Sequence, residues 1–301
     1  MRVVLNGQQA FGQTVLEALL DRGDNVVAVY CEPDTNPSRP DPLHQSAKDK
    51  GIEVIQPKSF KSEQVLSNFK SLQPDLAVMA YVTRIVPTSF LNAPTHGTIQ
   101  YHPSLLPAHR GPSSINWPII QGEKETGLTI FWPDAGLDTG PILLQQKVAI
   151  ESDDTLGSLY FDKLYPLGVE ALLKSIDLVK NGDAPRIVQD ESKASYESWC
   201  ADDSARIDWT HTTANIYNLI RGCNPQPGAW ANCPAGIVRF YDAKIAEMKG
   251  EPGSVIATSS EGIVVATVDG AIEIRRLREN DGPKIPAADS SLRVGTSFSL
   301  G

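Results

Sequence analysis

The chain is 301 residues long, more than one hydrophobic core usually serves, so two domains are expected. With 41% hydrophobic and 21% charged residues it is an ordinary globular protein; no run approaches the roughly 18 apolar residues of a membrane span, so no membrane partner is expected. A net charge of -9 disfavours a large phosphate-backbone partner, because such surfaces concentrate Lys and Arg, although a local basic patch is compatible with it.

Residues 1–7 read as a buried strand meeting a glycine turn, without the apolar core and small-residue cleavage site of a signal peptide. The four cysteines, Cys31, Cys200, Cys223 and Cys233, make no disulfide framework, and Cys223 and Cys233 are too far apart for a CxxC knuckle. A reduced, cytoplasmic protein is the plain expectation. Residues 2–6 form the first strand, 7–12 a turn, and 14–22 a helix with Val15, Leu16, Leu19 and Leu20 on one face. Residues 25–31 form a second strand, so the opening is a βαβ unit and predicts a doubly wound, mostly parallel sheet. Such a unit also suggests a dinucleotide site, with Glu32 in the ribose-binding place. The GQQAFG of residues 7–12 lacks the inner glycine of GxGxxG and the Lys-Ser/Thr of a P-loop, so a structural turn is the better account.

The polar, Pro-rich residues 31–42 make a loop, 42–50 a helix, 53–55 a strand and 62–72 a helix. A buried strand at 75–80 leads into 81–87, and another follows at 97–101. A helix from Ser113 or Ser114 to Gln121 has serine as its N-cap. Residues 128–132 and 142–150 extend the sheet, and 155–180 make one long amphipathic helix that closes the domain. The polar residues 181–204 read as a connector. After a helix at 214–221, short apolar runs at 237–240, 254–257, 263–268 and 271–274 alternate with turns, which suggests a small barrel.

The chemistry centres on residues 97–111, GTIQYHPSLLPAHRG, where a buried strand ends on His102 and breaks into a loop stiffened by Pro103 and Pro107. Open α/β sheets place chemistry at the carboxyl ends of their strands, and an imidazole there can handle protons. Residues 135–140, AGLDTG, put Asp138 on a glycine-flanked turn after the next strand. A histidine and a carboxylate on neighbouring loops form a proton-handling pair that needs no metal. Each has a structural alternative: His102 as hydrogen-bonded scaffolding, Asp138 as an Asx-turn. Gln100 shares a strand face with His102 and is divided evenly between core amide and catalytic donor. His109 and Arg110 read equally as a clamp for an acidic substrate tail and as solvated loop charge. Zinc ligation by His102 and His109 is a runner-up, but their spacing matches no helical metal motif and no third ligand stands out.

Taken in order, His102 with SLLP at 104–107 and LDTG at 137–140 resemble the folate-dependent formyltransferase family. The resemblance extends over nearly the whole chain. QDESKASY at 189–196 is similar to the crossing segment of that family's methionyl-tRNA branch, RIDW at 206–209 to the entry of its second domain, and the helix at 214–221 leads into NPQPGAW at 224–230. The resemblance implies a Rossmann-like catalytic domain over 1–185, a linker over 186–204 and an OB-like β-barrel over 205–301. It implies 10-formyltetrahydrofolate as co-substrate and no metal. His102 would then stabilise the oxyanion of a tetrahedral intermediate. Asp138 would position the imidazole, favour its cationic form and accept the nucleophile's proton through a water. Gln100 stands where the family's transferases carry asparagine, keeping the amide on a side chain one methylene longer; the branch that hydrolyses the folate has an apolar residue there. The pterin pocket would be made by backbone of Arg84, Ile85, Val86 and Pro87 and of Gly136, Leu137 and Asp138, with Ser104, Leu105, Leu106 and Pro107 along one wall. The same residues also read as core at strand ends.

The acceptor stays open between an amine on methionyl-tRNA or a small molecule, water, and none at all in a silent folate-binding protein. Residues 181–230 favour the methionyl-tRNA branch; the net charge and a loop at 32–42 with one arginine and no lysine disfavour tRNA. Segments at 7–12, 41–43 and 101–103 resemble the hydrolase domain of 10-formyltetrahydrofolate dehydrogenases. The carrier and aldehyde dehydrogenase parts of those proteins are not in this sequence, so dehydrogenase activity is not expected. Nor is the N-terminal regulatory domain of free-standing bacterial hydrolases. A transferase using 10-formyltetrahydrofolate is the expectation that follows.

Overall fold

Strand β1 (Arg2–Gly7) carries Val3, Val4 and Leu5 with no exposure on either face, the demand a central parallel strand makes. In the computed structural model, which describes residues 1–36 and 38–300, chain order then gives α1 (Gln9–Asp21), β2 (Asn25–Tyr30), α2 (Pro42–Asp49), β3 (Val54–Ile55), α3 (Glu63–Ser71), β4 (Leu76–Ala80), α4 (Thr88–Leu91) and β5 (Thr98–His102). Pro37, in the loop expected over 31–42, and Gly301, at the end of the expected second domain, lie outside the described residues. The strands lie in the order β3-β2-β1-β4-β5, all parallel. After α5 (Asn116–Ile120), β6 (Glu125–Phe131) runs antiparallel to β5, with Gln100 opposite Phe131 and His102 opposite Thr129. β7 (Ile142–Ala149) completes seven strands. The mostly parallel α/β sheet is thus as expected.

Three local expectations are corrected. The helix expected from Ser113 or Ser114 is α5, which starts at Asn116 after Ile115 with no side chain capping it. Residues 7–12 are not a turn: α1 begins at Gln9, two residues after β1, and Gly12 lies inside it. A Cβ on Gly12 would sit 2.9 Å from Leu43 Cδ2, so the glycine serves close packing of α1 on α2. Asp41 fixes that corner, accepting from the backbone N–H of Gln9 at 2.8 Å and of Leu43 at 2.9 Å. The long helix expected over 155–180 is interrupted. A short turn α6 (Leu156–Ser158) passes into a π-helical stretch, Leu159–Leu164, before α7 (Tyr165–Asn181) begins. Pro166 in the first turn of α7 has no N–H to give a preceding carbonyl, so an uninterrupted α-ladder cannot run through it.

The chain forms two compact units, one of residues 1–110, 127–148 and 163–196, the other of 111–126, 149–162 and 197–301. In the first, Tyr101 of β5 packs on Phe11 of α1 at 4.7 Å between ring centroids, and Gly168 of α7 lies against the same ring. Strand alternation therefore sends Gln100 and His102 to the opposite face. A second cluster holds Phe90 stacked on Phe69 at 3.8 Å, with Tyr30 edge-on to Phe90 at 5.5 Å.

The second unit holds α8 (Thr213–Gly222) and an antiparallel sheet of β8 (Ala229–Cys233), β9 (Gly236–Ala246), β10 (Val255–Thr258), β11 (Ile263–Ala266), β12 (Ala271–Glu279) and β13 (Ile285–Pro286). They run in the order β10-β11-β12-β9-β8, with β13 beside β12. Its core is built on Trp209, stacked on Phe298 at 5.6 Å and edge-on to Phe240 at 5.7 Å. Among the described residues no helix is long and apolar enough to cross a membrane.

Candidate active site

β5 delivers His102 to the carboxyl end of the sheet, and the backbone after it turns at once: Ser104 N–H donates to the His102 carbonyl at 3.0 Å. Ser104 is fully buried and its hydroxyl donates to the Ala108 carbonyl at 2.7 Å, closing a short loop around Leu105, Leu106 and the cis-bonded Pro107. Leu106 N–H donates to Thr129 Oγ1 at 3.1 Å, and Gln145 Nε2 donates to the Leu106 carbonyl at 2.9 Å. Leu106 is buried and Leu105 half-buried.

The carboxylate arrives from the turn after β6. Asp134 organises that turn, accepting from Gly136 N–H at 3.0 Å and from Thr139 Oγ1 at 2.6 Å. A Cβ on Gly136 would fall 2.0 Å from Thr139 Oγ1, so no other residue fits there without breaking the turn. Asp138 takes a left-handed backbone, φ 57°, uncommon outside glycine and tolerated by aspartate. Its Oδ2 lies 3.7 Å from His102 Nδ1, with both side chains over nine-tenths buried. The other imidazole nitrogen, Nε2, is 2.9 Å from the His109 carbonyl. A carbonyl can only accept, so Nε2 is the protonated donor there and Nδ1 is the nitrogen turned toward Asp138. Gln100, half-buried, shares the His102 face of β5.

The other expected pocket residues separate into rim and core. Ile85 is 85% exposed and Leu137 54%, apolar surface in the two segments expected to meet the ligand. Val86 is held by packing in the Phe69–Phe90 cluster, and Pro87 by its carbonyl, which accepts from Phe90 N–H at 2.9 Å and Leu91 N–H at 3.1 Å at the start of α4. Arg84 is drawn away, ion-paired with Glu32 and donating to the Pro57 carbonyl at 3.0 Å. Just before them, Tyr81 leaves β4 with φ 65°.

Arg110 is corrected outright. It is neither a solvated charge nor a free clamp for a substrate tail, because it has no exposure at all. Its guanidinium donates to both Glu191 oxygens at 2.6 and 2.9 Å, to Gln189 Oε1 at 2.7 and 3.2 Å, and to Tyr196 Oη. Glu191 pushes the guanidinium above its ordinary value and is itself pulled below the usual carboxylate range. Sequence reasoning does not single out Gln189 or Asp134 as site residues. Gln189 stands in the polar stretch 181–204, but it is 5% exposed. Among the described residues no group of three or more His, Cys, Asp and Glu is placed to hold a metal ion.

Comparison with known proteins gives the same architecture a name. Residues 1–176 match the formyl transferase model and 201–291 the formyl transferase C-terminal domain model. The chain is 35% identical to a methionyl-tRNA formyltransferase of Geotalea daltonii, over 100% of this chain and 98% of that one. It is 36% identical to the human mitochondrial 10-formyltetrahydrofolate dehydrogenase over 96% of this chain, and spans a third (33%) of that protein's length. Among solved structures it is similar to HypX from Aquifex aeolicus in complex with tetrahydrofolic acid, at TM-score 0.70, 22% identity and coverage of 96% of this chain and 46% of that one. It is also similar to an N-formyltransferase from Helicobacter canadensis in complex with folinic acid and dTDP-3-aminofucose, at TM-score 0.67, 21% identity and coverage of 90% and 97%. With both family models matched in order and full-length relatives above 30% identity, the chain belongs to the formyl transferase family.

Proposed function

We propose that this protein transfers the formyl group of 10-formyltetrahydrofolate to an amine acceptor, and that His102, Asp138 and Gln100 carry the reaction. The observation behind this reading is the His102–Asp138 pair, 3.7 Å apart and buried at the carboxyl end of β5. The amine nitrogen attacks the formyl carbon, the C–N bond to the folate breaks, and the folate nitrogen leaves with a proton. Between these events the formyl oxygen is anionic. Nε2 is committed to His109, so Nδ1–H of the imidazolium is the donor for that oxygen, and Asp138 stabilises the cation, takes the amine's proton through a water and returns it by that water to the departing folate nitrogen. At 3.7 Å the carboxylate lies beyond direct hydrogen-bond distance of Nδ1, so it acts on the imidazolium as a neighbouring charge and leaves the Nδ1–H for the formyl oxygen. We assign the pterin ring to the backbone of Arg84, Ile85, Val86 and Pro87 and of Gly136, Leu137 and Asp138, with Ser104, Leu105, Leu106 and Pro107 as one wall; exposed Ile85 and Leu137 offer apolar surface for it. We read the second unit's six antiparallel strands as an OB-like barrel and the location as cytoplasmic.

The amine is of methionyl-tRNA type or on a small molecule; a tRNA is disfavoured by the net charge of -9. A second reading, hydrolysis to formate and tetrahydrofolate, is favoured by one position: Gln100 stands where an asparagine is expected of a transferase. Incubating the protein with 10-formyltetrahydrofolate, with and without amines, and measuring tetrahydrofolate and formate separately decides between them. Transfer predicts tetrahydrofolate release that depends on the amine and yields little formate. Release that ignores the amine and matches formate means hydrolysis, and no release in any condition leaves a silent folate-binding protein. Gln100→Ile, which deletes the amide at similar bulk, is expected to lose about 2–4 kcal/mol of transition-state stabilisation. An unchanged rate would make Gln100 scaffolding.

A further inference from the structure

The segment that follows α7 holds both halves of the candidate catalytic pair. Gln189 lies nearly out of solvent, and its amide is saturated. Nε2 donates to the Asp138 carbonyl at 2.8 Å and to the Gly140 carbonyl at 2.7 Å, while Oε1 accepts from Arg110 Nη2 at 2.7 Å and Nε at 3.2 Å. Two donors and one oxygen with two lone pairs are all an amide has. Every one is used, so the group has one orientation, with nitrogen toward the Asp138 turn and oxygen toward the guanidinium. Arg110 enforces that choice because it can only donate. Six residues on, Ser195 holds the other half: its hydroxyl accepts from His109 N–H at 2.8 Å and its carbonyl from Arg110 N–H at 3.0 Å. His109 presents the carbonyl that fixes His102 Nε2, and its backbone is left-handed, φ 55°. Both backbones that aim the pair are therefore uncommon conformations held from outside, and the same strap holds both.

We propose that Gln189, oriented by Arg110, is a positioning residue that sets the Asp138 carboxylate against His102. It touches no reacting atom; it acts through the Asp138 turn. Ser195 completes the strap on the His109 side. Asp138 at φ 57° aims its side chain by its backbone, and the Gln189 amide is what pins the carbonyl of that residue. This inference rests on the assignment of His102 and Asp138 to formyl transfer, but its geometric half is independent of what the site does.

The test uses the full chain and two substitutions. Gln189→Met keeps bulk and deletes all four hydrogen bonds; Gln189→Glu keeps an acceptor for Arg110 but gives the two carbonyls no donor. Both are assayed for tetrahydrofolate release from 10-formyltetrahydrofolate. kcat is expected to fall about 10- to 100-fold, the scale on which a displacement of an ångström acts, with KM within about three-fold. The double variant Gln189→Met/Asp138→Asn should be no slower than Asp138→Asn alone, since a residue acting through Asp138 has nothing left to position. Crystal structures of the two single variants should show the His102–Asp138 separation lengthened from 3.7 Å. If Gln189→Met melts below the assay temperature, Gln189→Glu decides by the same measures. Losses that multiply in the double variant, retention of more than half the turnover, or an undisturbed Asp138 would each overturn the proposal. A wild-type protein that releases no tetrahydrofolate would overturn the function instead, and the crystallographic arm would still decide the role of Gln189.

Discussion

Each compact unit buries an arginine, and the two are held in opposite ways. Arg110, with no exposure, is held by the carboxylate of Glu191 and the amide of Gln189, and Glu191 pushes its guanidinium above the ordinary value. Arg221, 4% exposed, donates to the carbonyls of Glu151 at 3.2 Å and Asp154 at 3.0 Å and to Asn218 Oδ1 at 3.0 Å; burial pulls it below the ordinary value. A guanidinium ringed by backbone dipoles is a fastener, since each carbonyl it satisfies belongs to a turn that must close. A guanidinium whose partners lead on to other polar groups transmits position. Arg110 leads through Gln189 to Asp138; Arg221 is bonded to Glu151, Asp154 and Asn218, which are not residues of the candidate site.

The largest effect should come from the end of the first network. His102→Ala removes a donor aimed at charge that exists only in the transition state, so turnover should drop about 10²–10³-fold while folate affinity changes little. Steady-state kinetics beside equilibrium binding separates the two; a variant retaining a tenth of wild-type turnover would remove His102 from the mechanism. Arg110→Lys comes next. Lysine keeps the charge but not the planar fork, so it cannot serve Glu191 and Gln189 together. A loss of about 1.5–3 kcal/mol in stability, the scale of a hydrogen bond to a charged group, should accompany a clear fall in kcat.

Arg221→Lys is the control that sharpens the contrast. The ammonium cannot span both carbonyls of the 151–154 turn and Asn218, so the unfolding midpoint should fall by a similar amount. Turnover measured well below that midpoint should stay within about two-fold of wild type, because the sites are independent. A loss of turnover as large as that of Arg110→Lys would dissolve the distinction between fastener and transmitter.

The sequence reports the sheet because its strands are continuous apolar runs: Leu76–Ala80 is buried at every position, and no helical period imitates that. His102 and Asp138 are legible because strand ends and glycine-flanked turns mark themselves. The break at 159–164 is not, because the apolar positions on either side keep a helical period and only Pro166 hints at an interruption. Gln189 is hidden for a different reason. It sits among Asp190, Glu191, Ser192 and Lys193, a composition that reads as solvent-facing, and burial there comes from contacts with residues 49 to 79 positions away in the chain. Local pattern carries no record of such partners. Arg110 misleads on the same ground: Arg in a Pro- and Gly-rich loop looks solvated until Glu191 and Tyr196 are brought to it.

The smallest expected effect distinguishes the networks by pH. Glu191 and Asp202 are both largely exposed carboxylates gripped by an arginine, Arg110 in the first unit and Arg239 in the second, at 2.6 and 2.8 Å. In each case the arginine's hydrogen bond holds the carboxyl below the usual range. A depressed folded-state value stabilises the fold above the unfolded carboxyl's ordinary value, near pH 4, and that contribution is lost as pH falls through the folded-state value. Glu191→Gln and Asp202→Asn should therefore each lower the urea midpoint slightly at neutral pH and converge on wild type under acid. Solvent screening keeps both shifts small. Where they should part is turnover. In Glu191→Gln the introduced amide would still accept from Arg110 through its one oxygen but would release the second arm of the fork, so this variant should lower kcat modestly at neutral pH. Asp202→Asn should leave it alone. Equal kinetic silence in both variants would show that Gln189 and Tyr196 suffice to hold Arg110, and that Glu191 contributes charge balance and nothing to position.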